Sequence, residues 1–404
     1  MPSSTPRVLI VSAGLEIGGI ERSLLGLLGG LDYRRCRVDL LLHRHDGPFM
    51  RYLPEGPRLL PEVRSYGSFE RPIQLLVREG NAGLAAARLL AKARSFADRW
   101  KEGVVEPGYL QLQRSWRYAL PLLPEVAGEY ELAVSFMVPH YLVARRVRAR
   151  VKVGWIHTDY TSIPVEEGPE DAMWGSLDRL VAVSDEVGNS FGKRFPRFAS
   201  RVQVIENILA PELIRRQASE FTPDEMPSLP GVTRILSVGR FSHAKGIDQA
   251  VLACRRLLDK GRRVRWYAIG YGPDEPMIRA LIAEHGLQED FVILGQKINP
   301  YPYMAACDLY VQPSRYEGKA VTVREAQVLG KPVVITRYPT SSSQVADGVD
   351  GHICEMGVEG IAEGIGRLID DPGYREALAA AAREGDYSNR CELEKIYRLL
   401  SPLG

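Results

Sequence analysis

Short, nearly continuous apolar runs alternate with stretches of helical period along most of the chain. Residues 7–13 (RVLIVSA) form an apolar run of strand length, followed by Gly14, Gly18 and Gly19 and a helix-period stretch over 20–28. Residues 37–42 (RVDLLL) predict a second strand. The alternation blurs from 67 to about 124, where an Ala- and Arg-rich run at 84–100 has helical period and is followed by aromatics and prolines. It resumes with a strand at 132–137, a helix carrying the basic run 144–150 (ARRVRAR), and a strand at 151–156 that leads into His157, Thr158 and Asp159. A strand at 179–183, a helix at 186–195 and a strand at 202–205 close the first half. Residues 210–231, with Pro211, Pro223, Pro227 and Pro230, read as a linker. A second series then starts afresh, with strands at 234–238, 265–269, 291–294, 308–312 and 332–336, helices at 247–260 and 275–285, and a closing helical region.

Strands alternating with helices predict mostly parallel sheets whose ligand sites lie at the carboxyl ends of the strands. At 404 residues the chain exceeds one ordinary core. The expected fold class is α/β, with two Rossmann-like doubly wound domains facing across a cleft. The expected divisions are 1–209, with a helical insertion at about 67–124, then 210–385, then a helical segment at 386–404 packing back on the first domain.

Apolar content of 45% and charged content of 25% describe a globular protein, and a formal net charge of +2 gives no global pull toward nucleic acid. The five cysteines are scattered, with no C-x-x-C pair and no Cys/His metal spacing, which predicts buried thiols in a reducing compartment. The apolar run at 8–13 is too short for a signal-peptide core, and no stretch approaches the length of a membrane span, so the expected location is the cytoplasm.

The stretch 313–336 (PSRYEGKAVTVREAQVLGKPVVIT) carries the most chemistry. Glu317 falls in a turn-rich loop before a helix, and Glu325 falls within that helix. The amides of a first helical turn lack intrahelical partners, and the helix dipole is positive there. Together these suit a polyhydroxylated, negatively charged ligand. An ordinary helix N-terminus with nearby acids reads the same way. Arg240 and Lys245, in GRFSHAKG after the first strand of the second series, lie at the same sheet edge. A guanidinium fork and an ammonium point charge suit a diphosphate, although paired loop cations are also common on plain surfaces.

These pieces taken in order resemble family 4 glycosyltransferases, the retaining, nucleotide-sugar-dependent members of the two-domain GT-B fold. The resemblance rests on SVGRFSHAKG, IGYGPDE, the run from ILGQ to CDLYVQPSRYEG, the seven-residue gap between Glu317 and Glu325, and GKPVV. It extends more loosely to GLEIGGIERSLLGLL, WIHTDY, LVAVSDEV and VIENIL, and leaves out roughly 67–124. It implies that Arg240 and Lys245 hold the donor diphosphate, Glu317 contacts donor-sugar hydroxyls and Glu325 accepts from ribose hydroxyls. It places the amides of Gly318, Lys319, Ala320, Val321 and Thr322 along sugar and phosphate. Gly270, Gly272, Gln296, Lys297 and Ile298 flank the base; Gly18 and Gly19 close on the donor; His157 lies beside the donor sugar; and Asp159 is an acceptor-side candidate.

Lys319 departs from the smaller or apolar residue common after this glycine, and Ile208 follows Asn207 where glycine is frequent. There is no D-x-D metal motif, so no cofactor or metal is expected, and the co-substrate is a nucleotide-diphosphate sugar with UDP or GDP as the leaving group. The implied function is transfer of a sugar with retention to an acceptor hydroxyl in polysaccharide or glycoconjugate synthesis. The acceptor is a sugar, a lipid-linked glycan or another glycoconjugate. A nucleotide-sugar epimerase, a phosphorylase on the same scaffold, or a silent sugar-nucleotide-binding subunit are the alternatives. The basic stretches 88–99 and 145–150 raise peripheral contact with an anionic membrane, against the plainer reading of solvated surface helices.

Overall fold

A computed structural model describes residues 5–102, 108–160, 163–317 and 320–400, without side-chain detail for 98–102. The chain divides into two compact units, Met1–Ile208 with Asn389–Gly404, and Leu209–Ser388.

In the first unit the described strands are β1 (Arg7–Ser12), β2 (Arg37–Leu42), β3 (Arg58–Leu59), β4 (Glu129–Ser135), β5 (Arg148–Ile156), β6 (Arg179–Ala182) and β7 (Val202–Val204). They form one parallel sheet in the order β3-β2-β1-β4-β5-β6-β7. Val8 pairs with Val38 on one side and Leu132 on the other, so β1 is central and buried on both faces. That burial is why its sequence is a continuous apolar run rather than an alternating one. The helices are α1 (Gly19–Gly30), α2 (Ile73–Arg78), α3 (Ala82–Glu102), α4 (Gly108–Ala119), α5 (Tyr141–Arg146), α6 (Glu167–Gly175) and α7 (Asp185–Arg194).

Among its described residues the blurred region 67–124 carries three helices, α2, α3 and α4. It is tied to the sheet domain by a buried carboxylate. Glu170 on α6, fully buried, accepts from Tyr109 Oη (2.8 Å), Tyr160 Oη (2.9 Å) and Gln113 Nε2 (2.8 Å). Burial raises the Glu170 pKa, and the three donors compensate an acid held away from water. The basic run 144–150 is not one helix: α5 ends at Arg146 and β5 begins at Arg148. β-branched Val147, Val151 and Val153 pack in the sheet core, and tertiary burial outweighs the helical reading of the arginines.

The second unit contains α8 (Pro211–Ala218), β8 (Thr233–Val238), α9 (Ile247–Asp259), β9 (Val264–Ile269), α10 (Glu275–Glu284), β10 (Phe291–Gly295), α11 (Tyr301–Ala306), β11 (Leu309–Gln312), α12 (Val321–Val328), β12 (Val333–Thr336), β13 (His352–Cys354), α13 (Val358–Asp370) and α14 (Pro372–Glu384). The expected linker therefore holds a helix. Pro211 sits at the start of α8, where its missing N–H costs nothing, and Ile214 and Gln217 are buried. The parallel sheet runs β10-β9-β8-β11-β12-β13, so strand order reverses between β8 and β11. In open α/β sheets that reversal opens a crevice at the carboxyl ends of the two strands. The last helix, α15 (Glu392–Leu399), rejoins the first unit, where Tyr397 Oη accepts from Asp32 N (2.7 Å).

Two glycines let the loops at the second sheet's edge touch. Gly270 has φ +152°, and a Cβ there would meet Gly239 O; a Cβ at Gly272 would meet the Phe241 backbone. Phe241 N donates to Tyr271 O at 2.9 Å, which locks the loops after β8 and β9 together. Gly286, with φ +66°, has no heavy atom near its would-be Cβ. Gly270→Ala is therefore expected to cost clearly more stability than Gly286→Ala, which carries only the ~1–2 kcal/mol of left-handed backbone. Urea unfolding of both variants reads the difference, and equal losses would remove the close-approach account.

Candidate active site

Lys245 leaves β8 and Glu317 leaves β11, the two strands flanking the reversal, and the structure brings their side chains together. Lys245 Nζ donates to both carboxylate oxygens of Glu317, at 2.6 and 2.7 Å. Glu317 is nearly buried, with 8% of its side chain exposed, and Lys245 retains 25%. A carboxylate so placed needs partners. Ser314 Oγ donates to Glu317 Oε1 at 2.6 Å and Gln312 Nε2 donates to it at 3.2 Å.

Gln312 is the hub beneath this pair. Its Nε2 also donates to Ser314 Oγ (2.9 Å), and its Oε1 accepts from Tyr310 Oη (2.9 Å) and Thr322 Oγ1 (3.3 Å). Both amide hydrogens and both acceptor sites are occupied, which fixes the orientation of the amide. Tyr310, Gln312, Ser314 and Thr336 are all buried, and Thr336 Oγ1 donates to Ser314 O. Glu317 is thus aimed from below by β11 and β12.

Arg315 clamps the loops from the side. Its guanidinium donates to Asp248 Oδ1 (2.8 Å), Asp248 Oδ2 (2.5 Å) and His243 O (2.8 Å), and its backbone N donates to Ala244 O (2.8 Å). Gly246, at φ +64°, lets the same loop press against Pro313 O. Sequence reasoning missed Gln312, Ser314 and Arg315. Ser314 acts through a neighbour 3 residues away and Arg315 through neighbours 67 and 72 residues away, and no local spacing signals that.

The remaining expected residues fall as follows. Arg240 is exposed and makes no ion pair with any described residue. α12 starts at Val321 without a side-chain cap, next to half-buried Thr322 and buried Ala320. Gly318 and Lys319 lie outside the described residues. Glu325 is buried and accepts from Tyr301 Oη at 2.7 Å, so it is held within the unit rather than open at the edge. Gly270 and Gly272 are already required by loop packing. Gln296 and Ile298 are exposed past β10, whereas Lys297 is taken up by Glu225, at 2.7 and 2.8 Å.

In the first unit, Gly18 is the cap of α1, and the Glu21 carboxylate folds over the place where a Cβ on Gly18 would stand. Glu21 thereby occupies the end of the helix that suits an anion. Gly19 has open space around it. His157 follows β5, its ring 4.7 Å from Phe136 and stacked on Trp155 at 6.5 Å. Its Nε2 is shielded and has no hydrogen-bond partner among the described residues. Burial pushes its pKa down to about 3, so the ring is neutral and a poor proton acceptor. His140, after β4, is fully buried, bonds Ser135 Oγ at 2.8 Å and is likewise pushed down to about 3. Asp159 is exposed. Among the described residues no three His, Cys, Asp or Glu side chains gather as a metal site.

Comparison with known proteins converges on the same region. Residues 223–385 match the family described as "Glycosyl transferases group 1". An alpha-D-kanosaminyltransferase of Streptomyces kanamyceticus is 30% identical over 151 residues, which is 37% of this chain and 39% of that protein. A D-inositol 3-phosphate glycosyltransferase of Kribbella flavida is 26% identical over 324 residues, 75% of this chain and 73% of that one. The chain spans less than half the length of the curated relatives it matches first, between 39% and 49%. Among solved structures, Anabaena HepE in complex with UDP and glucose superposes with a TM-score of 0.64 at 17% identity, covering 98% of this chain and 100% of that one. At that identity the likeness establishes the fold, two parallel α/β sheets of the GT-B type.

One buried and two half-buried histidines predict how stability follows pH. His43 is pushed down to about 4 by burial, beside His140 and His157 at about 3. All three stay neutral in the fold but protonate in the unfolded chain below the ordinary value of 6.5. Their contribution is present in full above 6.5 and is lost as pH falls through the window down to about 3. Each costs at most about 1.4 kcal/mol per pH unit there. Denaturation midpoints between pH 7 and 5 should fall, and His140→Gln should flatten the slope. An unchanged slope in that variant contradicts the neutral assignment.

Proposed function

We propose that this chain, whose residues 223–385 match the glycosyl transferases group 1 family, is a retaining glycosyltransferase. It moves a sugar from a nucleoside-diphosphate sugar to an acceptor hydroxyl in cytoplasmic polysaccharide or glycoconjugate synthesis. The observation that carries this reading is the Lys245–Glu317 pair at the strand-order reversal of the second unit, inside the segment that matches the family.

An ammonium group has three hydrogens, and Glu317 uses two of those on Lys245. The third, with the exposed Arg240 and the uncapped amides at the start of α12, gives a diphosphate three kinds of donor from two segments, the loop after β8 and the start of α12. Thr322 at the first turn adds its backbone N–H. Glu317, aimed by Gln312 and Ser314, is assigned to donor-sugar hydroxyls, and Glu325, with one oxygen held by Tyr301, to the ribose. In the first unit, His157 is assigned a hydrogen bond to donor sugar. A ring that burial keeps neutral, with its pKa pushed down to about 3, argues against its serving as the base.

In the reaction the anomeric carbon–oxygen bond to the diphosphate breaks as the acceptor oxygen bonds to the same face. The acceptor proton passes to the departing phosphate oxygen. Lys245 and Arg240 stabilise the negative charge that grows on that diphosphate. UDP-sugars are the first donors to try, since the relative with this fold was solved with UDP and glucose. Relatives named for lipopolysaccharide core and capsule synthesis direct the acceptor toward a growing or lipid-linked glycan.

Because Lys245 neutralises a nearly buried acid, Lys245→Ala should lower both activity and melting temperature. That differs from what a solvated loop lysine would do. Arg240→Ala should leave the melting temperature unchanged and reduce kcat/KM at least ~10-fold, against ~10²–10³ for Lys245→Ala. Transfer of labelled sugar from UDP- and GDP-sugars measures both. Wild-type turnover in both variants would sink the assignment, and epimerised donor without acceptor would point to a different enzyme.

A further inference from the structure

α3 is apolar on two opposite sides. Leu84, Ala87, Ala91 and Ser95 are buried against the first unit. On the other side Ala86, Leu89, Leu90, Ala93, Phe96 and Ala97 face solvent, with Leu89 53%, Leu90 58% and Phe96 63% exposed. At ~100° per residue these outward residues fall within one arc of roughly 120°. Exposed Lys92 and Arg94 lie one just beyond each border of that arc. No acid occurs from 80 to 97. A surface helix normally turns charge outward and keeps its apolar stripe for the core, whereas one apolar on both sides is normally covered on both. Neighbouring α2 adds exposed Leu75, Val77 and Arg78.

The cations of the two basic stretches are not equivalent. Arg88 turns inward, donating to Ser68 O at 2.6 Å and to Arg71 O. Arg146 is bound to Leu120 O (2.7 Å) and Arg150 to Leu400 O (2.5 Å), while Arg148 lies near Glu125 and Glu129. The 145–150 run therefore offers little free charge. Of the described cations in these two stretches, Lys92 and Arg94 flank apolar surface.

We propose that the outward stripe of α3 beds into the interface of an anionic lipid bilayer, with Lys92 and Arg94 on the headgroups and Leu89, Leu90 and Phe96 in the acyl boundary. A narrow apolar stripe bordered on both sides by cations and lacking acids matches that surface by charge as well as by polarity. Among the described residues no helix is long and apolar enough to cross a membrane, so the contact is interfacial. The inference rests on the proposed function only for its purpose, which is to hold the enzyme where a lipid-linked acceptor resides.

The test is flotation of the full chain with vesicles of phosphatidylcholine alone or with about one third phosphatidylglycerol. The expected result is flotation with the anionic vesicles only. It should drop at least ~10-fold in Leu89→Ser/Phe96→Ser and in Lys92→Glu/Arg94→Glu, and persist in Arg145→Glu. Because these side chains are exposed, the variants should keep the wild-type melting temperature and its shift with UDP, which reports the donor site separately. Three outcomes would each overturn the proposal: no flotation, equal flotation on neutral vesicles, or self-association that Leu89→Ser/Phe96→Ser abolishes in a chain that does not float.

Discussion

A carboxylate cannot be held in a protein edge without being paired, and Glu317 imposes that constraint on everything around it. It needs Lys245 from another strand's exit loop, a hydroxyl from Ser314 and an amide hydrogen from Gln312. Gln312 in turn requires Tyr310 and Thr322, and Lys245 requires a loop tied down by Arg315 and Asp248. One buried charge thus organises the exits of β8, β11 and β12 and the start of α12. The result is a site whose polar groups are aligned before any ligand arrives, the condition under which fixed charges act strongly on a developing one.

The sheet topology decides where this can happen. Parallel strands send their exit loops to one edge, and the order reversal between β8 and β11 keeps two of those loops from being covered by the same crossover helix. Gly246 and Gly270 then allow backbone to approach backbone more closely than any side chain would permit. The first unit has the same parallel logic but a different chemistry at its edge. His43, His140 and His157 are neutral and sunk among aromatic rings, and Glu21 covers the start of α1. The Lys245–Glu317 pair and the exposed Arg240 belong to the second unit.

Much of the fold was legible because buried parallel strands have no choice of composition. RVLIVS, LYVQ and VVIT are buried along nearly their whole lengths, and such runs announce themselves. Legibility failed where the tertiary setting outweighed local pattern. Arginines at 148 and 150 looked helical beside Arg145, yet β5 claims them because Val151 and Val153 must reach the core. Pro211 suggested a linker but heads α8, and the two-residue β3 and three-residue β13 are too short for any periodicity to show.

The same division runs through the site and the surface. Sequence alone determined which residue types follow β8 and β11: Arg240, Lys245, Glu317 and Glu325 in an order and spacing that follow from strand, loop and helix lengths. It also determined that 84–97 is helical and basic. Only the tertiary structure decided that Lys245 and Glu317 bond one another, that Glu325 points to Tyr301, that Lys297 is taken by Glu225, and that α3 turns an apolar face outward. The physical reason is that periodicity reports which way a residue faces along its own element, whereas pairing and exposure depend on what other elements bring to that place.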